Sequence, residues 1–366
     1  MNTFKKQGQY KYFRGMQTYP SPVSRIAAIG VEIPVNFVSN EDIAEMVETT
    51  PALRKNLPKL IYRATKCKTR VYSAPGTSPS DLALAAARKA IDHDGITIDE
   101  IDTLIFASTD MDVLEPATAN ILQFKLGMKR VNAFDVTNAC NSMLQAINIA
   151  NSLIATGAAR KVLIASGEVG SYVCNRQLSD LRELSYKMGG LTLGDAGAAM
   201  ILERSDSSSG FLEINLLSIG EHWDFCHVPE LTDWRQRQNG SIHGWFYLDM
   251  PKLATVAKHE TKNYFKEYNK FREETNGEHI FLNNLQFVIP HQISRKFIED
   301  ITDSFSFDLA KIVITADIFG NTASTSAVLA MQTLIDRDQI RIGSGQELLL
   351  YGAASGFGIG HIRLKL

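Results

Sequence analysis

The sequence predicts an α/β protein made of two similar halves. Short apolar runs typical of strands alternate with helix-like segments, which is the pattern of mixed sheets covered by helices. The segment that follows Asp135 resembles the one that follows Asp317, since each contains a helical run, a turn and a buried strand. Each half then closes with a glycine-rich strand, at 194–202 and at 356–364. Two such halves packed together would bury a shared layer of helices between two sheets.

The chain is expected to divide into an N-terminal extension and these two halves. Residues 1–24 are polar, aromatic and basic, and we expect them to form a mobile extension or to lie on a partner. The first half covers residues 25–205 and the second covers 206–366. A polar, serine-rich stretch at 203–210 has the composition of a loop and marks the boundary between them.

Within the first half, Cys140 lies where a strand-like run gives way to a helix-like one. Apolar runs at 103–107 and 131–134 predict strands, and apolar residues at helical spacing over 143–154 predict a helix. Because a helix N-terminus favours the thiolate, this position predicts a nucleophilic cysteine. The remaining cysteines are interpreted as inert, buried residues: Cys67, Cys174 and Cys226.

In the second half, His291 follows an apolar strand that Pro290 discourages from continuing, and Asn321 occupies the position that corresponds to Cys140. A satisfied structural histidine is the common alternative, but a strand-end position opposite the thiol and the amide favours a functional role. Cys140, His291 and Asn321 together can perform thioester chemistry. The thiol takes an acyl group, and the imidazole and carboxamide N–H groups donate hydrogen bonds to a developing enolate or oxyanion. A papain-type protease has the same residue order, but its tryptophan-containing signature is missing and it has no twofold repeat.

The composition narrows the class of protein further. The 366 residues are 45% hydrophobic and carry a net charge of −2, which argues against a nucleic-acid-binding protein. The four cysteines lack the spacing of a disulfide scaffold or a zinc site, so we expect a reducing compartment and no metal. The sequence contains neither the apolar core of a signal peptide nor a membrane-spanning stretch, so we expect a cytoplasmic protein without membrane association.

Six short motifs together resemble one known family. They lie at 39–43, 139–140, 194–199, 289–292, 320–322 and 356–360. Each is weak alone, but the combination resembles the β-ketoacyl-acyl carrier protein synthase III family, a branch of the thiolase-fold condensing enzymes, over nearly the whole chain from Arg25. Rival members of this fold fit less well. Thiolases have a second cysteine near the C-terminus, and elongating ketosynthases have a second histidine where this chain has Asn321.

The resemblance implies a five-layer αβαβα thiolase fold, a homodimer and a Claisen condensation that needs no cofactor. The substrates would be acyl thioesters carried on the phosphopantetheine of acyl carrier protein or on coenzyme A. By analogy Cys140 is acylated, and His291 and Asn321 stabilise the carbanion left when a malonyl thioester loses carbon dioxide. The oxyanion hole would consist of the backbone N–H groups of Cys140 and Ser355.

The sequence departs from the family where coenzyme A is usually recognised. Residues 63–68 read Arg-Ala-Thr-Lys-Cys-Lys, in place of the usual Arg-Thr-Gly-Ile preceded by tryptophan, so the choice between coenzyme A and carrier-protein donors stays open. Basic residues surround this stretch and favour contact with an acidic carrier protein or its phosphopantetheine phosphate. A solvated charged face is the alternative. The residues predicted to make this contact are Arg63, Lys66, Arg70 and Lys296.

Two glutamates are second candidates for a pocket residue or a base. Glu115 stands where the family places a bulky apolar residue that reaches toward the partner subunit's acyl pocket, and Glu168 follows a buried strand. A surface or ion-paired carboxylate is equally compatible with both positions. We therefore expect an acyltransferase of specialised fatty acid or polyketide metabolism, and a ketosynthase/cyclase that gives resorcinol or cyclohexanedione rings is one such enzyme. The alternatives are a housekeeping synthase III that initiates fatty acid synthesis, and a non-catalytic subunit of a heterodimeric enzyme.

Overall fold

The computed structural model describes residues 10–92, 95–206, 208–229, 244–276, 285–303 and 308–366, which form two five-stranded sheets. In spatial order the N-terminal sheet contains β2 (Ser24–Glu32), β10 (Asp195–Arg204), β8 (Lys161–Val169), β6 (Thr103–Ala107) and β7 (Asn132–Val136). The C-terminal sheet contains β1 (Gln17–Thr18), β11 (Gly210–Ser218), β16 (Gly358–Lys365), β15 (Glu347–Ala354) and β14 (Phe287–Pro290).

The two sheets share a pattern of strand pairing. In the N-terminal sheet, β2 and β8 each pair antiparallel with β10, and β8 pairs parallel with β6. In the C-terminal sheet, β11 and β15 each pair antiparallel with β16, and β15 pairs parallel with β14. The strands β2, β10, β8 and β6 therefore correspond to β11, β16, β15 and β14. The duplication expected from the repeated sequence pattern is confirmed.

Helices cover both sheets. They are α1 (Asn40–Met46), α2 (Pro51–Thr65), α3 (Pro79–Ile91), α4 (Thr118–Leu126), α5 (Ser142–Thr156), α6 (Leu184–Lys187), α7 (Met250–Asn276), α8 (Arg295–Thr302), α9 (Ala316–Phe319) and α10 (Ser326–Asp336). Two-residue to four-residue strands make up three small pairings: β3 (Asn36–Ser39) with β5 (Thr69–Tyr72), β4 (Glu48–Thr49) with β9 (Gln177–Leu178), and β12 (Cys226–His227) with β13 (Tyr247–Leu248). Within the described residues, no helix has both the length and the hydrophobicity to span a membrane.

The helices and sheets form five layers. The middle layer consists of α5 and α10, whose apolar residues Ile147 and Val328 share one core with Ile164 of the N-terminal sheet and Leu350 of the C-terminal sheet. On the outer faces, α3 and α4 pack against the N-terminal sheet, and α7 packs against the C-terminal sheet. This is the predicted αβαβα arrangement. It places the N-terminal ends of α5 and α10, where Cys140 and Asn321 lie, in the space between the two halves.

Helix α3 lies unusually close to its sheet because glycines face it. A Cβ atom at Gly167 would come 1.8 Å from the carbonyl oxygen of Pro79, and one at Gly197 would come 2.1 Å from that of Leu82. The two glycines are paired across β8 and β10. Part of the glycine-rich character of the sequence thus serves close helix–sheet packing, which no larger residue permits.

The N-terminal segment packs into the fold from Tyr10 onward. Phe13 is fully buried against α7, and β1 extends the C-terminal sheet by pairing with β11. The Tyr12 hydroxyl donates to Glu260 of α7 at 2.6 Å. The expectation of a mobile extension is therefore wrong for residues 10–24, because their aromatic side chains supply apolar area to the core beneath α7. Residues 1–9 lie outside the described part of the chain.

Candidate active site

Cys140 is presented by a tight turn between β7 and α5. The residue before it, Ala139, has a φ of +47°, a left-handed conformation that is uncommon for a residue with a Cβ atom. The turn is closed by Ser142, whose hydroxyl accepts from the Asn138 N–H at 2.8 Å and donates to the Ala139 carbonyl at 2.6 Å. These bonds hold the strained backbone and fix the thiol at the entrance to the helix. Backbone strain of this kind is concentrated at functional sites.

Two backbone N–H groups face the Cys140 thiol. One is its own, and the other belongs to Ser355, in the short 3₁₀ turn between β15 and β16. Both act to lower the pKa of the thiol. A thioester carbonyl attached at this sulfur would lie within reach of the same donors. The structure thus brings together the two residues predicted to form an oxyanion hole, whose role stays a prediction.

The surroundings of the Cys140 thiol act on its pKa in opposite directions. Burial raises the pKa of Cys140 well above its usual value, and the negative potential of Cys226 and Glu168 acts in the same direction. The two backbone N–H groups do not offset these contributions. Burial therefore opposes the thiolate that the helix N-terminus is expected to favour, and the activation of this thiol stays a prediction. Acylation requires a group that accepts the proton.

His291 lies immediately after β14 and is held by both its backbone and its ring. Its backbone N–H donates to the Tyr351 carbonyl at 2.8 Å, and its Nδ1 lies 3.1 Å from the Ser326 hydroxyl. Burial lowers the pKa of His291 to about 4, so the ring is neutral at physiological pH. If the Ser326 hydroxyl donates to Nδ1, the ring proton resides on Nε2, and the imidazole can donate from that atom.

Asn321 is held by the first half of the chain although it belongs to the second. Its N–H donates to the Thr192 carbonyl at 2.8 Å, and its carbonyl accepts from Gly194 at 2.9 Å. Its side-chain Oδ1 accepts from the Ala323 N–H at 3.0 Å. Because only the oxygen of the carboxamide can accept, this bond fixes its orientation and leaves Nδ2 as the donor available to a substrate.

Glu168 holds the turn that follows Asn321, and its charge acts on the pKa of the Cys140 thiol. Its carboxylate accepts from the N–H of Thr109 at 3.0 Å and from the N–H of Ser324 at 3.3 Å, and both hydroxyl groups also donate to it. Burial, followed by the nearby Asp110 carboxylate, raises the pKa of Glu168 to about 7. The segment that follows Asn321 thus contacts Glu168 through Ser324 and His291 through Ser326.

Arg70 and Glu115 differ in where the structure places them. Arg70 was predicted to contact a carrier protein, but it is fully buried and donates to the Val38 carbonyl at 3.1 Å and to Asn40 at 2.7 Å. That prediction is wrong, because β5 directs the side chain into the protein, where it braces β3. Glu115 is exposed on the single chain, and its role at the acyl pocket of a partner subunit stays a prediction.

The other basic candidates share one surface. Arg63 and Lys66 lie at the end of α2, which contacts α8, the helix that carries Lys296. Arg63 is exposed, and the Lys66 ammonium lies 5.2 Å from the ring centroid of Tyr62. Lys296 is paired with Asp300 at 3.0 Å. The three cations are thus available at the surface, and their role in binding stays a prediction.

Sequence reasoning missed the hydroxyl residues that surround the site. Ser326 contacts His291, Ser324 contacts Glu168, and the buried Asp195 accepts four bonds from Ser73 and Ser171. The hydroxyl-rich run directly after Asn321 was the available signal. Within the described residues, no group of three His, Cys, Asp or Glu side chains could hold a metal ion.

Comparison with known proteins agrees with this geometry. Residues 134–220 match the 3-oxoacyl-[acyl-carrier-protein] synthase III family, and residues 278–366 match its C-terminal part. A β-ketoacyl-[acyl-carrier-protein] synthase III of Neisseria meningitidis serogroup A is 31% identical over 343 residues, covering 93% of this chain and 99% of the relative. That of Helicobacter hepaticus is 28% identical, covering 90% and 93%.

Solved structures show the same fold. The 3-oxoacyl-[acyl-carrier-protein] synthase III of Aquifex aeolicus superimposes with a TM-score of 0.78 at 23% identity, covering 94% of this chain and all of the other. Cerulenin-bound OleA of Xanthomonas campestris gives a TM-score of 0.80 at 22% identity, covering 94% and 98%. The chain therefore belongs to the synthase III family of thiolase-fold condensing enzymes, acyltransferases that form carbon–carbon bonds by Claisen condensation.

Proposed function

We propose that the protein joins an acyl group bound to Cys140 to a malonyl or β-ketoacyl thioester carried by an acyl carrier protein. The observation that carries this proposal is the placement of the Cys140 thiol against the backbone N–H groups of Cys140 and Ser355. Neutral His291 and the oriented carboxamide of Asn321 supply the second set of donors. The substrates bring their own phosphopantetheine, so the reaction needs no further cofactor.

In the first half-reaction, the Cys140 thiol attacks the thioester carbonyl, and its proton is transferred to the sulfur of the departing donor. The negative oxygen of the tetrahedral intermediate is then stabilised by the two backbone N–H groups, and the donor thiolate leaves with a proton. A donor N–H directed at such an oxyanion typically contributes about two to three orders of magnitude in rate. The acyl group is left on the sulfur.

In the second half-reaction, the malonyl thioester loses carbon dioxide. The electrons of the broken bond pass into an enolate, whose oxygen accepts from Nε2–H of His291 and Nδ2–H of Asn321. The nucleophilic carbon attacks the acyl carbonyl, and the Cys140 thiolate departs and takes up a proton from solvent. Neutral imidazole serves as a donor here without any change of charge, which suits a buried ring whose pKa is about 4.

The carrier protein would dock on the surface formed by α2 and α8. Arg63, Lys66 and Lys296 lie on this surface and would meet an acidic carrier and its phosphate. The segment that replaces the family's coenzyme A motif contributes Thr65 and Cys67 to the interior, which supports a carrier-protein donor over coenzyme A.

A homodimer is part of the proposal. Strand β7 lies at the edge of the N-terminal sheet, and α4, which packs beside it, exposes 84% of Phe124. Leu114, in the loop before α4, is 65% exposed. Large exposed apolar residues beside a sheet edge favour pairing with a second copy. Phe124→Glu should shift the dimer to monomer in size-exclusion chromatography with light scattering.

Specialised fatty acid or polyketide metabolism is the setting we favour, because the segment at 63–68 departs from the pattern of the housekeeping enzymes. Initiation of fatty acid synthesis from a short acyl primer is the alternative within the same chemistry. A cyclised product would require a β-ketoacyl donor and a base in the pocket. Glu168 has a raised pKa but is enclosed by hydrogen bonds, and this favours a linear product.

Intact-protein mass spectrometry tests the proposal. The protein is incubated with acyl-coenzyme A and acyl-carrier-protein donors, and malonyl- or β-ketoacyl-carrier protein is then added. We expect an adduct that is absent in Cys140→Ala and is released only by the carrier-bound partner. The product mass separates linear from cyclised compounds. If no donor acylates Cys140, the protein is a non-catalytic or partner-dependent subunit.

A further inference from the structure

Ser324 of the second half is inserted among the strand ends of the first half. Its hydroxyl lies 3.1 Å from the Ala107 carbonyl at the end of β6 and 2.7 Å from the Ser166 hydroxyl in β8, and it also donates to the Glu168 carboxylate. Ser324 is 1% exposed. Three groups of the N-terminal sheet therefore hold one residue of the turn that follows Asn321.

The Glu168 carboxylate is the charged member of this set, and it is fully engaged. One oxygen accepts from the N–H groups of Thr109 and Ser324 and from the Ser324 hydroxyl, and the other accepts from the Thr109 hydroxyl. The residue is 1% exposed. A carboxylate enclosed in this way does not approach a substrate, so any contribution to the reaction passes through the residues that it holds.

Through Ser324, Glu168 also holds the preceding residue, Ala323. Ala323 adopts a φ of +45°, which a residue with a Cβ atom maintains only where its surroundings impose it. In this conformation its N–H donates to Oδ1 of Asn321 at 3.0 Å. The bond fixes which end of the carboxamide faces the site. Releasing Ser324 would allow Ala323 to relax and would free the Asn321 side chain to rotate.

We propose that Glu168 is a positioning residue for the carbanion-forming half-reaction: it holds Ser324, and thereby keeps the strained Ala323 turn that orients the Asn321 carboxamide. This inference rests on the proposed condensation. It replaces the idea of Glu168 as a base that acts on the substrate. It also separates the two half-reactions, because the donors that serve acylation, the N–H groups of Cys140 and Ser355, do not depend on this turn.

Three variants test the proposal: Glu168→Ala, Glu168→Gln and Ser324→Ala. For each, mass spectrometry measures the rate of acylation of Cys140 and, separately, the rate at which malonyl-carrier protein releases the acyl group. Glu168→Ala should slow release by about 100-fold, because misplacing a reacting group by about 1 Å costs roughly that factor. Acylation should stay within about threefold of the wild-type rate, since the change also removes a negative charge that raises the pKa of Cys140.

Glu168→Gln is the matched control. Its amide oxygen can accept both N–H groups, and the Thr109 hydroxyl can turn to accept from the amide nitrogen. Release should therefore recover to within about fivefold of the wild-type rate, whereas Ser324→Ala should be intermediate, at about tenfold slower. Melting temperatures of all three variants identify any that do not fold. If Glu168→Ala does not fold, the Ser324→Ala and Glu168→Gln pair decides the question.

Release at the wild-type rate in Glu168→Ala would overturn the proposal, as would an equal loss in both half-reactions. Failure of Glu168→Gln to recover release would also overturn it, because charge would then matter more than position. A crystal structure provides a test that does not depend on turnover: an Asn321 carboxamide unmoved in Glu168→Ala overturns the positioning role, and a rotated one supports it. Wild-type protein that is acylated but never condenses would instead defeat the proposed function alone.

Discussion

The buried His291 should impose a measurable pH dependence on folding. Its pKa is about 4 in the folded protein against 6.5 as the ordinary value, so the unfolded chain binds more protons between these two values. The contribution of neutral His291 to stability is therefore fully present above pH 6.5 and is lost as the pH falls toward 4. One pKa unit corresponds to about 1.4 kcal/mol, so the loss between pH 7 and pH 4.5 is about 2 kcal/mol.

Glu168 has the opposite effect over nearly the same interval. Its folded pKa is raised above 4.5, so its contribution to stability is present below that pH and is lost as the pH rises through about 7. The two buried groups therefore offset one another in the wild-type protein. For this reason the test compares variants and does not rely on the wild-type curve alone.

The assay is urea unfolding at pH 7.0, 6.0, 5.0 and 4.5 for wild type, His291→Asn and Glu168→Gln. Relative to wild type, His291→Asn should gain about 2 kcal/mol of unfolding free energy on going from pH 7 to pH 4.5. Glu168→Gln should show the steeper acid destabilisation that His291 causes when it is unopposed. His259→Asn replaces an exposed histidine of α7 and serves as the control. Parallel curves for wild type and His291→Asn would refute the assignment of a buried, neutral imidazole.

Three further substitutions have distinct expected outcomes. Arg70→Met should lower the unfolding free energy by about 2–4 kcal/mol, because it removes buried hydrogen bonds from a charged donor. Replacing the exposed Arg63 by Met should change the unfolding free energy by less than about 0.5 kcal/mol and should raise the KM for the carrier protein at low salt. The reverse pattern would restore Arg70 as a docking residue. Ser326→Ala should slow condensation about tenfold while acylation persists, since it releases Nδ1 of His291, and half-reaction rates that fall together would contradict this. Gly167→Ala should lower the unfolding free energy measured in urea by at least about 3 kcal/mol, because its Cβ would overlap the Pro79 carbonyl. Gly220→Ala is the control: its Cβ meets open space, so the unfolding free energy should change little.

The fold could be predicted because its signals are local and repeated. The strand-like runs, the helical run after Cys140 and the glycine-rich closing strands each appear in the letters, and their recurrence implies the duplication. The N-terminal segment could not be predicted, because its aromatic residues show no periodicity and find their partners on α7, some 250 residues later in the sequence. Local composition cannot distinguish such a segment from a solvated tail.

The site was predictable to the extent that its residues occupy strand ends and helix starts. Cys140 lies between the end of β7 and the start of α5, His291 follows the end of β14, and Asn321 lies in the turn before α10. The electrostatics was not predictable, since a helix N-terminus is visible in a sequence whereas the burial that raises the thiol pKa arises from both halves together. The direction of Arg70 likewise depends on which face of β5 meets the protein interior. Seven basic residues lie between Arg54 and Arg70, and nothing in the sequence distinguishes the buried Arg70 from the others.

The duplicated architecture also explains why the site depends on contacts between the halves. Cys140 and Asn321 stand at corresponding turns before α5 and α10, and both turns contain a strained alanine, Ala139 in one and Ala323 in the other. Ser142 closes the first turn from within its own half. The second turn is instead held by Glu168 of the opposite half. The acylating turn is therefore self-supporting, whereas the turn that orients the carbanion donor depends on the packing of the two halves. Because Ser355 of the acylation site also belongs to the second half, a local change at Glu168 or Ser324, and not a general loosening of the packing, should impair condensation while sparing acylation.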